Sequence, residues 1–193
     1  KQEKTDGSIE SLDANTGGET AAETVADDSG TVSVTTEVGN NEKAEDYISV
    51  EVEATDLCPR YTARIVKNIK LAPSPEWMQR RLAAMGIRPI NNIVDITNYV
   101  LKELGQPMHA FDYAYLEGDE INVRRADDGE KITTLDEKEF ELNNSNLVIC
   151  DGKKPVALAG IMGGLNSEIQ DTTKEVMFEA AKFARDNIRK SSR

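Results

Sequence analysis

The chain has 193 residues, 38% apolar and only 5% aromatic, and its 35 acidic against 23 basic residues give a formal charge of −12. That length suits one medium domain with an extra segment, or two very small domains. No apolar run reaches the roughly 18 residues of a membrane span, and Lys1 to Gly7 lacks the apolar block of a secretory signal, so a soluble, cytoplasmic protein with no membrane partner is expected. Cys58 and Cys150 lack CxxC spacing and read as reduced thiols, with one distant disulfide as the alternative; no metal site is expected. The acidic balance argues at first against a nucleic-acid partner, because phosphate binding depends on Lys and Arg.

Charge and aromatic content divide the chain. Residues 1–46 hold three Lys, no Arg and twelve acids, hence −9 of the −12, and all ten aromatic residues fall at or after Tyr47. Such a composition cannot bury enough surface to offset its ordering entropy. Residues 1–46 therefore read as an acidic, flexible linker ahead of a domain at 47–193. Val32-Ser33-Val34 offers a strand only where a partner edge exists, and none is assigned.

Alternation predicts strands over Ile48–Thr55 and Tyr61–Ile69, with a turn at Asp56-Leu57-Cys58-Pro59 between them. Ser74-Pro75-Glu76 predicts a helix start, with Ser at the N-cap and Pro at the first helical position, and Met78, Leu82 and Met85 follow at helical spacing up to Gly86. A second helix is predicted over about Asn92–Leu104, with Ile93, Ile96, Val100 and Leu104 on one face and Gly105 as its stop. Short strands then follow at Ile121–Arg125, Lys131–Leu135, Phe140–Leu142, Leu147–Cys150, Val156–Ala159 and Val176–Ala181, and a last helix over Phe183–Arg193. Clustered strands beside a helical pair give an α+β class with a mixed or antiparallel sheet, or a partly closed barrel.

Three features invite chemistry. His109, the one histidine, sits in Gly105-Gln106-Pro107-Met108-His109, a loop setting where functional groups concentrate, although a lone histidine is more often structural. Gly160-Ile161-Met162-Gly163-Gly164 lacks the Lys and Ser/Thr of a phosphate loop; it is either a tight turn or a strip of bare backbone facing a ligand. Glu179 shares a strand face with Met177 and Ala181, and a carboxylate there needs an Arg or a ligand hydroxyl as partner. Arg185, Arg189, Lys190 and Arg193 form a basic end that reads as a solvated face rather than an RNA contact.

The stretch from Gly86-Ile87-Arg88-Pro89-Ile90-Asn91-Asn92-Ile93-Val94-Asp95-Ile96-Thr97-Asn98-Tyr99 through Gly105-Gln106-Pro107-Met108-His109-Ala110-Phe111-Asp112 resembles the B3/B4 region of the bacterial phenylalanyl-tRNA synthetase beta subunits. Cys58-Pro59-Arg60-Tyr61 before it, and Ala157-Leu158-Ala159-Gly160 and Phe178-Glu179-Ala180-Ala181 after it, resemble the same family in the same order, so the resemblance covers about Val50 to Arg193. It implies an editing module of a class II, ATP-dependent phenylalanine–tRNA ligase, hydrolysing the ester of tyrosine mischarged on phenylalanine tRNA. It implies His109 and Thr97 as catalytic, and Arg88, Asn98, Gly160, Gly163 and Glu179 as substrate-binding, with Glu179 on the tyrosyl hydroxyl. The implied partners are the aminoacylated 3′ end of that tRNA and an alpha subunit in an alpha2-beta2 heterotetramer. No cofactor is implied for the fragment itself; ATP and magnesium belong to the parent ligase. The family continues into a loop bearing a Thr and an Ala that line its pocket, so a fragment truncated at its C-terminal end is expected. A non-catalytic scaffold or RNA-docking module is the alternative.

Overall fold

The computed structural model describes residues 21–26, 32–37 and 46–192. Within the segment expected to be a flexible linker, two strands form, β1 (Ala21–Ala26) and β2 (Val32–Glu37). The partner edge that Val32-Ser33-Val34 needs is β1, which itself pairs antiparallel with the strand β4 (Arg60–Val66). The rest of the expected linker lies outside the described residues.

The remaining elements run β3 (Ser49–Val52), α1 (Glu76–Ala84), α2 (Asn92–Leu104), β5 (Met108–Asp112), β6 (Glu120–Arg125), β7 (Lys131–Thr133), β8 (Glu139–Glu141), β9 (Leu147–Cys150), β10 (Pro155–Leu158), β11 (Met162–Gly163), β12 (Val176–Lys182) and α3 (Arg185–Ser191). One five-stranded sheet, ordered β2-β1-β4-β12-β5, is wholly antiparallel. The second, ordered β11-β10-β9-β6-β3, is mixed because β3 runs parallel to β6. Neither closes on itself, so of the two expected sheet forms the open one is found.

Alternation along β4, β5 and β12 turns Tyr61, Ile65, Phe111 and Met177 inward, where they pack in one cluster with Ile121, Val123, Ile149 and Val156 of the second sheet. Residues one step out of phase face α2: Ala110 and Val176 pack on Ile93. The first sheet is thus covered on both faces, by the second sheet inside and by α2 outside.

Each helix has a local cause. Asn91 caps α2 by accepting from Ile93 N at 3.1 Å and Val94 N at 2.9 Å, and Gly105 ends it at φ 73°. The cap of α1 differs from expectation. Pro75 itself stands at the N-cap without a side-chain cap bond, because the Ser74 hydroxyl instead donates to Asp95 Oδ2 at 2.5 Å. The expected apolar face of α2 is also only partly right: Ile93 is buried, but Ile96 is 38% and Leu104 74% exposed. Asp95 and Thr97 take the inner positions because their oxygens find partners there, Asp95 from Ser74 and Ile90 N, and Thr97 by donating to Val94 O. Among the described residues no helix is long and apolar enough to cross a membrane.

Candidate active site

At the end of the first sheet, between β5, β12, α3 and the β10–β11 turn, lies a cavity of about 1200 Å³. His109 is directly opposite Glu179 in the β5–β12 ladder, so strand pairing alone puts both side chains on one face. The loop setting expected for His109 is not found; it stands on β5, and Pro107 ends the loop one residue before the strand begins. Glu179 is 7% exposed, lines the cavity, and has neither a hydrogen bond nor an ion pair among the described residues. The arginine partner considered for it is absent. Burial pushes its carboxyl up to about 8, so at neutral pH the group is mostly a neutral acid able both to donate and to accept.

Burial pulls the His109 imidazole down to about 4, so the ring is neutral at pH 7. It is fixed by packing: its ring meets Phe111 edge-on at 4.5 Å between centroids, and Gly163 lies flat behind it. A Cβ at residue 163 would stand 2.5 Å from both Cε1 and Nε2 of His109, so only glycine leaves room for the ring. Gly160, at φ +67°, makes the turn that brings β11 back along β10, with Phe183 and Ile188 pressed against it. Of the two readings left open for the glycine run, the tight turn is found at Gly160, and Gly163 has a role that neither reading gave it. Gly160 serves a positive φ, and Gly163 serves close approach to the imidazole.

Of the seven sequence-nominated residues, His109, Gly160, Gly163 and Glu179 line this one cavity. Thr97, Asn98 and Arg88 do not. Thr97 lies on α2, over the other face of the sheet, and its hydroxyl is turned back onto its own helix at Val94 O, 2.8 Å away. Asn98 follows it on that helix, and Arg88 is exposed in the connection between α1 and α2.

The cavity also recruits residues that the sequence pattern does not single out. Arg60, Lys182, Phe183 and Ile188 line it. Their signal lies in the β4–β12 register, which pairs Arg60 with Lys182, but that pairing cannot be read from either strand alone. The Tyr61 hydroxyl is fully buried and has no hydrogen-bond partner among the described residues. Its pKa is raised well above the ordinary value by burial and then by the charge of Glu179 and of Cys58; the Cys58 thiol is itself pushed up to about 12 by burial and Glu179. Cys58 and Cys150 are both free and buried. Among the described residues no group of three or more His, Cys, Asp and Glu is arranged to hold a metal ion.

The fold is an open two-sheet α+β domain with a largely apolar cleft at the end of its first sheet. The chain belongs to the B3/4 domain family, which matches residues 57–193. It is 54% identical over 160 residues to the phenylalanine–tRNA ligase beta subunit of Syntrophus aciditrophicus, covering 81% of this chain and 20% of that protein. It is 57% identical over 152 residues to the same subunit of Geobacillus kaustophilus, covering 79% of this chain and 19% of the relative. The chain thus spans about a fifth of the length of these relatives. Among solved structures, an N-terminal fragment of the phenylalanyl-tRNA synthetase beta subunit from Pyrococcus horikoshii matches with a TM-score of 0.53 at 14% identity, over 72% of this chain and 44% of that one. That likeness is one of fold.

Proposed function

We propose that the cavity hydrolyses the ester of tyrosine mistakenly joined to phenylalanine tRNA, as the editing site of a class II phenylalanine–tRNA ligase. The observation that supports this reading is the unpartnered, neutral carboxyl of Glu179 opposite the neutral imidazole of His109. A synthetic pocket built for phenylalanine rejects one added hydroxyl weakly, by about a hundredfold. A second site that hydrogen-bonds the hydroxyl reverses the preference, because phenylalanine would leave a buried polar group unpaired.

In the reaction a water oxygen adds to the ester carbonyl, and the carbon–oxygen bond to the terminal ribose then breaks as that oxygen takes a proton. His109, at about 4, is too weak a base to carry the proton far at pH 7, so it acts by accepting the water's hydrogen and aiming its oxygen. Arg88, Thr97 and Asn98, nominated for the ester and terminal nucleoside, lie off the cavity, so backbone beside Gly160 and Gly163 takes over the role of facing the ester. The partners that follow are the aminoacylated tRNA end and an alpha subunit in an alpha2-beta2 assembly. The ATP and magnesium of the parent ligation have no part in this hydrolysis.

Single-turnover deacylation of tyrosyl- and phenylalanyl-tRNA, with the chain in excess, tests the reading. Tyrosyl ester should be cleaved in preference, with Glu179→Ala erasing the preference and His109→Ala the rate. Unchanged rates in both variants would sink it.

A further inference from the structure

An aminoacyl ester carries a group that neither Glu179 nor His109 receives, its α-amine. The charges around the cavity do not suit it. Arg60, Lys182, Arg185 and Arg189 all line the cavity, and Glu179 is the only acidic residue among the described residues that does. The basic end that reads from sequence as a solvated face is thus turned onto the site. Glu179, at about 8, is mostly uncharged at neutral pH, so it offers an amine no counter-charge. An amine entering here needs a neutral oxygen whose direction is already fixed.

Gln106 holds such an oxygen. The β5–β12 ladder ends at Met108 opposite Ala180, and Pro107, next along β5, has no N–H with which to continue it. The side chain before the proline takes over: Gln106 Nε2 donates to Ala181 O at 3.4 Å and to Pro107 O at 2.7 Å. A primary amide has two N–H donors, and both are spent on these backbone carbonyls. The reversed amide would set oxygen against two oxygens, so its orientation is decided. Oε1 is left at the other end of the group, without a hydrogen-bond partner among the described residues, on a half-buried residue that lines the cavity. An acceptor already held by its own nitrogen costs a ligand little side-chain ordering. Ala181, which anchors it, stands two residues beyond Glu179 on β12, roughly 6.6 Å along the strand and on the scale of a tyrosine side chain.

We infer, on the ester-hydrolysis reading of the cavity, that Gln106 Oε1 accepts from the α-amine of the acyl group and makes the site selective for esters that carry a free amine. Charged or neutral, the amine has an N–H to give, and the surrounding cations favour its neutral form. Glutamine suits the position better than glutamate, which would face the Pro107 and Ala181 carbonyls with oxygens of its own. With the ring hydroxyl on Glu179 and the amine on Gln106, the acyl group is held at both ends.

Binding and chemistry are tested separately. L-tyrosinamide and 3-(4-hydroxyphenyl)propanamide, which lacks only the amine, are titrated calorimetrically into the chain. The wild type should bind the amine-bearing ligand about tenfold more tightly, the worth of about one hydrogen bond. Gln106→Met, which keeps the length and loses the acceptor, should bring the ratio to about one. Gln106→Lys, which keeps a donor for Ala181 O, should do the same, so that the lost ratio is not the work of a loosened strand end. Single-turnover cleavage of tRNA esterified with each of the two acyl groups should show the same loss of ratio, while the preference for tyrosyl over phenylalanyl ester, which rests on Glu179, survives in both variants. A wild-type binding ratio near one, or a ratio that persists in either variant, overturns the role of Gln106 and leaves hydrolysis intact. A ratio that collapses in both variants of a chain that cleaves no tyrosyl ester upholds the amine subsite and fails the hydrolysis reading alone.

Discussion

Buried carboxylates on opposite sides of the first sheet are treated in opposite ways. Asp95, on the helical side, is wholly buried and accepts from the Ser74 hydroxyl at 2.5 Å and from Ile90 N at 2.8 Å. Asp112, at the end of β5, is likewise met by Thr173 Oγ1 at 2.6 Å and Ala114 N at 3.0 Å. Glu179, on the cavity side, has no such partner. Burying a polar group is costly unless it is hydrogen-bonded, so the fold satisfies the acids that hold its connections together. The acid left unsatisfied is the one that faces open space, and that contrast separates scaffold from site more clearly than either residue's burial does.

The largest effect should come from breaking the satisfied side. Asp95→Ala leaves the Ser74 hydroxyl and the Ile90 N–H buried without an acceptor and uncouples α1 from α2. At 1–3 kcal/mol for each orphaned group, a loss of about 3 kcal/mol is expected, read as a lower urea midpoint with an unchanged slope. On the cavity side Gly163→Ala should overpack the His109 ring, costing about 1 kcal/mol or more of stability, and show its larger effect in catalysis. Its Cβ, 2.5 Å from the His109 ring, must displace the imidazole, and a misplacement near 1 Å costs about a hundredfold in ester cleavage. An equal loss in urea stability and no loss in rate would remove His109 from the reaction.

Much of this contrast was legible in the sequence, but not its spatial half. Period-two alternation located β3 and β4, short strands were also legible at β6, β9 and β12, and alternation turned Glu179 to the same side as Met177. Helical spacing and the Gly105 stop bounded α2 because both are local signals. What failed was non-local. Ser74 reads as an N-cap until Asp95, 21 residues on, claims its hydroxyl. Thr97 and Asn98 sit in a motif shared with the family, yet α2 carries them to the far side of the sheet. The β1 pairing with β4 depends on an edge that composition cannot reveal, and a segment poor in apolar residues gave no other signal. His109 and Glu179 are 70 positions apart, and only the antiparallel register makes them neighbours.

Acidity should sharpen the comparison next. Glu179 holds its proton to about pH 8 when folded, against 4.5 for the ordinary group, so between those values the folded state binds more protons and stability falls as pH rises. His109 runs the other way: folded near 4 and ordinarily 6.5, it makes stability fall as pH drops through that window. The two oppose each other between about 4.5 and 6.5 and leave Glu179 acting alone from 6.5 to 8. A loss of about 1.4 kcal/mol per pH unit is expected in that upper range. Glu179→Gln should flatten it, as followed by urea unfolding at each pH. A slope that survives in Glu179→Gln would mean that the unpartnered carboxyl is not the group responsible.

The smallest effect is expected at Tyr61, which tests whether the imbalance reaches beyond the cavity wall. Its hydroxyl is buried, without a hydrogen-bond partner among the described residues, and close enough to Glu179 to be perturbed by it. Tyr61→Phe removes an unsatisfied group and keeps the ring that packs in the sheet core, so stability should stay level or rise by up to about 1 kcal/mol. The same change at a satisfied hydroxyl would lower it. The measurement to pair with it is the Glu179 pH slope. If the phenol and the carboxyl share one unsatisfied region, losing the hydroxyl should shift the midpoint of that slope. If the midpoint stays put while stability rises, Tyr61 is a packing residue whose orphaned oxygen is independent of the site. The boundary between scaffold and site then runs between β4 and β12.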